Sequence, residues 1–338
     1  MYCNSCQTII NKGDLVYCSQ CGVPLHKDCA NKCIKCGAYL CDSCSIENSF
    51  TCENCYQESD SNIKKIRRSH IEQYKRCPYS LYLQLFRNMI PPMGRHAELG
   101  VIVHDIIDKL KTHNQPLEES ITILRNEVIA WNEEQDDEYS IITDDLIETG
   151  EICLTNYYNI KDQFEGSSES EENIIFKIRD DLPEVSCTLD RIVFKGDDIH
   201  IHDWKTGKPM SGKKLVTDLQ PPLYIYGVYK KYGKYPKTFT LHYLKYNKDL
   251  VYNLITTEDD TIAYEVTTTR NTYVFTIDDM LQNVIKLLEG VKHNEFNMPS
   301  DNTHVWYCKN MCWFGLKNVC AGSQEEQWKA LNKAYEKE

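Results

Sequence analysis

Residues 189–207 read LDRIVFKGDDIHIHDWKTG, and one dipeptide in the middle fixes how they can fold. Gly196-Asp197, set between alternating apolar segments, predicts a two-residue hairpin turn. Counting outward from that tip places Asp190 opposite Asp203. Side chains alternate along a strand, so the face holding both acids also holds Ile192, Phe194, Ile199 and Ile201, with Lys205 two residues beyond Asp203. Trp204, His200 and His202 take the other face. Directly opposed strand residues sit roughly 5 Å apart, so two carboxylates there repel unless something positive lies between them. Mg²⁺ or Mn²⁺ suits carboxylate oxygens, and Lys205 is placed to touch a water or phosphate bound at such an ion. The plainer alternative is a surface hairpin with solvated acids and a lysine paired to one of them.

A chain of 338 residues has room for one large domain and a small one. No apolar run approaches spanning length and the first residues carry cysteines instead of a leader, so the expectation is a soluble, cytoplasmic (or nuclear) protein with no membrane partner. The net charge of −12 argues against wholesale coating of nucleic acid, although grooves are local. Acidic residues concentrate in 133–151 and 165–172. Basic ones gather at Lys64, Lys65, Arg67, Arg68, Lys75 and Arg76, and in YGVYKKYGKYPK (226–237). The latter reads either as a surface for stacking bases and neutralising phosphates or as a helix ending at Gly233.

The first 55 residues hold six pairs of metal-ligating type: Cys3/Cys6, Cys18/Cys21, His26/Cys29, Cys33/Cys36, Cys41/Cys44 and Cys52/Cys55. Two such pairs close one tetrahedral Zn²⁺ site, so twelve ligands make about three sites. A head this poor in apolar residues cannot fold by burial, so metal binding must supply its folding free energy. The segment from Cys3 to Cys36 resembles cross-braced RING and PHD-type fingers, in which the first and third pairs share an ion; spacing alone does not choose among the pairings. The expected domains are a zinc module over 1–57, a polar linker over 58–68 and a body over 69–338, whose first helix would open on a Ser69/Glu72 capping box.

The body carries SHIEQYKRCPYSLYL (69–83), LGVIVHDII (99–107), the hairpin, LQPPLYIYG (219–227) and a terminal cysteine cluster, in that order. In this order they resemble the RecB-like branch of the PD-(D/E)xK nucleases, which includes the AddB nuclease domain and eukaryotic exonuclease V. The resemblance implies an α/β (α+β) fold of restriction-endonuclease type, a central mixed sheet flanked by helices. It implies that Gly100 and His104 form the family's G-x3-H, with His104, Asp190, Asp203 and the Trp204 carbonyl around Mg²⁺ or Mn²⁺, and Lys205 activating water. Gln220 and Tyr224 match a Q-x3-Y element that supports the lysine and faces the substrate strand, with a helix starting at Gln220 or just after because Pro221-Pro222 fit only a first turn. Cys77, Cys308, Cys312 and Cys320 match a [4Fe-4S] staple of the two chain ends; their wider spacing leaves Zn²⁺ open as the alternative. Cys153 and Cys187 fit no pattern and are expected to be buried thiols.

The expected function is a metal-dependent deoxyribonuclease, an exonuclease acting on single strands or DNA ends in recombination, repair or replication. Its rivals are an inactive DNA-binding scaffold recruiting a protein partner through the zinc head, a RING-like ubiquitin ligase, and an RNA-cleaving enzyme.

Overall fold

The computed structural model describes residues 63–113, 115–133, 143–164, 168–210, 213–257 and 261–296, residues 307 and 311–316, and, within the first forty, residues 2–3, 5, 8–10, 13–18, 24–32 and 38–40. The chain divides into two compact units.

One unit takes in the described parts of Met1–Ile63, Gln73–Pro91 and Gly290–Glu338. In its head, β1 (Leu15–Tyr17) pairs antiparallel with β2 (Pro24–His26), and β3 (Asn31–Lys32) with β4 (Tyr39–Leu40). Leu25 and Leu40 are fully buried there, with Ile10 and Cys18 nearly so. Further along, Pro78 opens the helix Pro78–Arg87, where its missing N–H costs nothing, and Asn88 closes it in the left-handed region at φ 51°. Phe296 packs on Tyr74, Tyr82 and Phe86, and the Tyr74 hydroxyl donates to the Glu295 carbonyl at 2.8 Å.

The other unit comprises Lys64–Glu72 and Pro92–Glu289 and holds a mixed sheet of eight strands among the described residues. Its order runs β12 (Thr272–Thr276), β11 (Ile262–Thr267), β10 (Lys248–Thr256), β9 (Thr238–Tyr243), β8 (Asp198–Lys205), β7 (Glu184–Lys195). Both β5 (Lys65–Arg67) and β6 (Ser168–Phe176) pair with β7. The β8/β9 and β5/β7 pairs are parallel and the rest antiparallel. This is the mixed sheet flanked by helices expected of a restriction-endonuclease-like fold.

In the helix Arg95–His113, Leu99, Ile102, Val103, Ile106, Ile107 and Leu110 recur every three or four residues and are all buried. They join Leu124 and Val128 of Leu117–Glu133 and Leu146 and Leu154 of Thr143–Ile160 in one core, which meets the sheet at Val193 and Trp204. The helix Gln220–Tyr232 serves the acid-bearing face, where Tyr224 meets Phe239 edge-on. A Cβ at Gly227 would lie 2.8 Å from the Phe176 ring, so only glycine lets this helix settle on β6. Cys153 and Cys187 are buried, and burial pushes both thiols up to about 12.

Two expectations need correcting. The segment 58–68 is not all linker: Ile66 is buried and Lys65–Arg67 forms a sheet strand. The helix that follows begins at Arg68, which puts Ser69 inside it, and Glu72 accepts the Leu219 N–H at 3.3 Å. A remote backbone donor has taken the carboxylate that a capping box would have used.

Candidate active site

The hairpin folds in the expected register. Lys195 pairs with Asp198 and Ile192 with Ile201, and Gly196 supplies the positive φ of 60° at the tip. Pairing of β7 with β8 stops at Arg191 and His202, one step short of Asp190 and Asp203.

The reason lies on the edge of β7. β6 pairs with Val185–Val193 from one side, so β8 (at Arg191–Lys195) and β5 (at Glu184–Ser186) must share the opposite edge. Between them Cys187–Asp190 has no strand partner on that edge among the described residues, and side chains take over. The Asp190 Oδ2 accepts the Trp204 N–H at 2.7 Å, and the Tyr224 hydroxyl donates to the Thr188 carbonyl at 2.6 Å. The fork between β5 and β8 is where the acids lie.

Asp203 is 1 % exposed. Its Oδ1 accepts from Gln220 Nε2 at 2.5 Å. Its Oδ2 lies 2.5 Å from Lys205 Nζ but outside hydrogen-bond alignment, so this buried oxygen keeps no directional partner. Gln220 therefore supports the acid rather than the lysine, a correction to the role expected of it. Its placement follows from the helix start: the Asp218 carboxylate accepts the Gln220 N–H at 2.8 Å, and Pro221 and Pro222 occupy first-turn positions whose N–H groups would have no helical acceptor.

His104 reaches the fork from the helix Arg95–His113. Its Nδ1 is 3.4 Å from Asp190 Oδ2 and its Nε2 is 2.9 Å from the Trp204 carbonyl. Gly100 lies one turn earlier; a Cβ there would meet Thr206 Oγ1 at an ordinary 3.6 Å, so packing among the described residues does not demand this glycine.

The electrostatics push the two acids apart. Burial alone would raise Asp190, but His104 outweighs it and the carboxyl falls below its ordinary range. Burial raises Asp203, and Lys205 does not fully offset this. Burial alone would lower His104, yet Asp190, with Asp203 behind it, raises the imidazole to about 9. Tyr224 is raised by burial and then by Asp203.

A pH dependence follows. A histidine raised from an ordinary value near 6.5 to about 9 contributes stability that is fully present below about 6.5 and lost as pH climbs through about 9. Without added divalent cation, the denaturation midpoint should fall across that window, and His104→Asn should remove the slope. An unchanged slope in the variant would refute the His104–Asp190 pairing.

The donor set, two carboxylates, an imidazole and a carbonyl, fits Mg²⁺ or Mn²⁺, and Asp203 Oδ2, which has the Lys205 charge beside it but no aligned hydrogen-bond donor, is an oxygen such an ion could take. The atoms do not yet converge. Among the described residues the group of three or more His, Cys, Asp or Glu ligand atoms lying within 4.8 Å of one another is Cys3, His26 and Cys29. Asp190 is turned to Trp204 and His104, and Asp203 to Lys205 and Gln220, so a cation would have to replace those contacts through side-chain rotation.

In the head, Cys3 of the first predicted pair thus lies with both members of the third, His26 and Cys29, and the His26 N–H donates to Cys3 Sγ at 3.3 Å. Cys18 is buried and stands outside that group; Cys6, Cys21, Cys33, Cys36, Cys41, Cys44, Cys52 and Cys55 lie outside the described residues. Of the terminal set, Cys77 and Cys312 are buried within electrostatic reach of one another, while Cys308 and Cys320 lie outside the described residues. Burial raises the Cys77 thiol, and Cys312 adds to the rise. The run 226–237 forms the end of a helix capped by Gly233 at φ 73°, with Tyr229 stacked on Tyr235 at 4.2 Å.

The sequence shows Arg68 only as one member of a basic cluster, because it closes a segment read as linker. It stands half-buried at the fork, 5.8 Å from the centre of the Tyr224 ring.

An acid on one strand, an acid and a lysine two apart on the next, and a mixed sheet between helices define a nuclease of the restriction-endonuclease-like class. The chain belongs to the PD-(D/E)XK nuclease superfamily, whose family model matches residues 68–321. A search of curated proteins gave no match. Among solved structures the chain is similar to one titled "Crystal structure of SSO0001", at 14% identity and a TM-score of 0.29, covering 74% of this chain and 91% of that one. No helix among the described residues is long and apolar enough to cross a membrane.

Proposed function

We propose that this protein is a metal-dependent deoxyribonuclease that hydrolyses phosphodiester bonds in single strands or at DNA ends. The observation that supports the reading is the fork itself, where His104 pairs with Asp190, Lys205 pairs with Asp203, and the Trp204 N–H between the two acids donates to Asp190. A divalent cation held there by His104, Asp190, Asp203 and the Trp204 carbonyl would polarise the scissile phosphate and lower the pKa of a bound water.

The protein's own groups do the rest. Trp204 N–H fixes the Asp190 carboxylate, Gln220 fixes Asp203, and Tyr224 holds the strand at Thr188. Lys205, paired here with Asp203, would donate to a phosphate oxygen or orient the attacking water. The zinc reading of the head rests on Cys3, His26 and Cys29, and the iron–sulfur reading of Cys77, Cys308, Cys312 and Cys320 on two buried, adjacent thiols.

The test is direct. Purified protein is incubated with circular, 5′-blocked and 3′-blocked DNA and with RNA, in Mg²⁺ and in Mn²⁺. Loss of linear single-stranded DNA that stops in chelator is the expected result. Intact DNA under every condition would overturn the reading, and cleavage of RNA alone would reassign the substrate.

A further inference from the structure

We infer that Arg68 is a phosphate-binding residue of the same site, gripping the nucleic-acid backbone beside the acid pair; this rests on the nuclease reading above. Strand β5 ends at Arg67, where the shared edge of β7 opens, so the next side chain is delivered to the fork. The guanidinium carbon sits 5.8 Å from the Tyr224 ring centre, a distance at which the ring attracts the cation and biases its orientation. Burial opposes the Arg68 charge, and Tyr224, then Asp203 and, least, Glu72 outweigh it.

None of those acids absorbs its donors. Asp203 Oδ1 is taken by Gln220 and its Oδ2 faces Lys205, while Glu72 Oε1 receives Leu219. Among the described residues Arg68 has no hydrogen-bond or ion-pair partner for its side chain; the ring of Tyr224 is its contact. A half-buried guanidinium with five donors in a planar fork and no acceptor suits a group with paired anionic oxygens, and a backbone phosphate has that geometry. Lys205 offers a point charge at the same fork, so the two cations divide the work: Lys205 beside Asp203, Arg68 on the β5 side, where a neighbouring phosphate would lie.

A merely structural role for Arg68, as counter-charge to Asp203 and Tyr224, makes a different prediction, and a methylphosphonate walk separates the two. Single-stranded oligonucleotides carrying one neutral methylphosphonate at successive positions are bound in Ca²⁺, which suppresses cleavage, and cut in Mg²⁺. For wild type, neutralising one particular phosphate should weaken binding roughly 10- to 100-fold, the scale of a charge-assisted hydrogen bond. Arg68→Gln should bind the unmodified strand weaker by a similar factor and lose nothing further at that position, and the salt dependence of its binding should shallow by about one ion. Arg68→Lys, which keeps the charge and the fold, should lie between the two.

Equal methylphosphonate penalties in wild type and both variants at every position would overturn the assignment. If the wild type cleaves and that result is found, the Arg68 inference fails while the nuclease reading stands. If the wild type binds but never cleaves, the nuclease reading fails, and the binding arm still decides Arg68. Absence of strand binding by wild type overturns both.

Discussion

Asp203→Asn and Asp190→Asn should each lower cleavage by at least about 10³-fold, and Asp190→Asn should destabilise the fold more. The asymmetry comes from what each carboxylate does in the fold. Asp203 is 1 % exposed and burial raises its pKa, so folding disfavours its charge; asparagine keeps an oxygen for Gln220 and removes that penalty. Its variant loses the Lys205 ion pair together with that penalty, so it should unfold nearer to wild type than the Asp190 variant does. Asp190 is held below its ordinary range by His104 and also receives the Trp204 N–H, so its charge stabilises the fold above the usual carboxylate pKa and that stability is lost on acidification. Neutralising it should destabilise at neutral pH and return His104 toward an ordinary value. Urea denaturation of the three proteins, beside their cleavage rates, checks both halves. Equal destabilisation by the two substitutions would show that the acids play one structural role instead of two.

The second large effect concerns the head, where Cys29→Ser should release one zinc ion per chain and unfold the segment around β1 and β2. Burying Ile10, Leu25 and Leu40 contributes roughly 1.5–3 kcal/mol each. Ordering the backbone costs about 1–2 kcal/mol per residue, so a segment of several tens of residues cannot be held by that core. Structural zinc sites contribute about 10–16 kcal/mol, which is of the size required. Metal analysis together with amide exchange at Leu25 and Leu40 reads the result: zinc content down by one and protection lost. Full protection in the variant, or in protein stripped by chelator, would remove the metal from the account of the head.

Much of the body was legible because short-range rules and long-range packing agree there. Gly196-Asp197 admits one hairpin register, and the alternation on either side leaves each strand one face for the core. Pro221-Pro222 likewise fixed where the last site helix begins, since two missing N–H groups are harmless only in a first turn. What stayed hidden was settled by distant partners. Lys65–Arg67 shows one apolar residue between two charges, too little pattern to announce a strand, and it becomes one only because β7 offers an open edge. Arg68 stood out no further than its basic neighbours for the same reason. Glu72 looked like a local cap and instead receives Leu219, while Gln220 chose the acid over the lysine because Asp203 is buried and in need of a donor. No local spacing encodes these choices.

The central claim is that Asp190 and Asp203 jointly hold one divalent cation at the fork. Titration of the protein with Mn²⁺, followed by electron paramagnetic resonance of the free ion, tests it most directly. Wild type should bind one Mn²⁺ per chain at the site, and both Asp190→Asn and Asp203→Asn should lose it. Undiminished Mn²⁺ binding in the two variants would contradict the account.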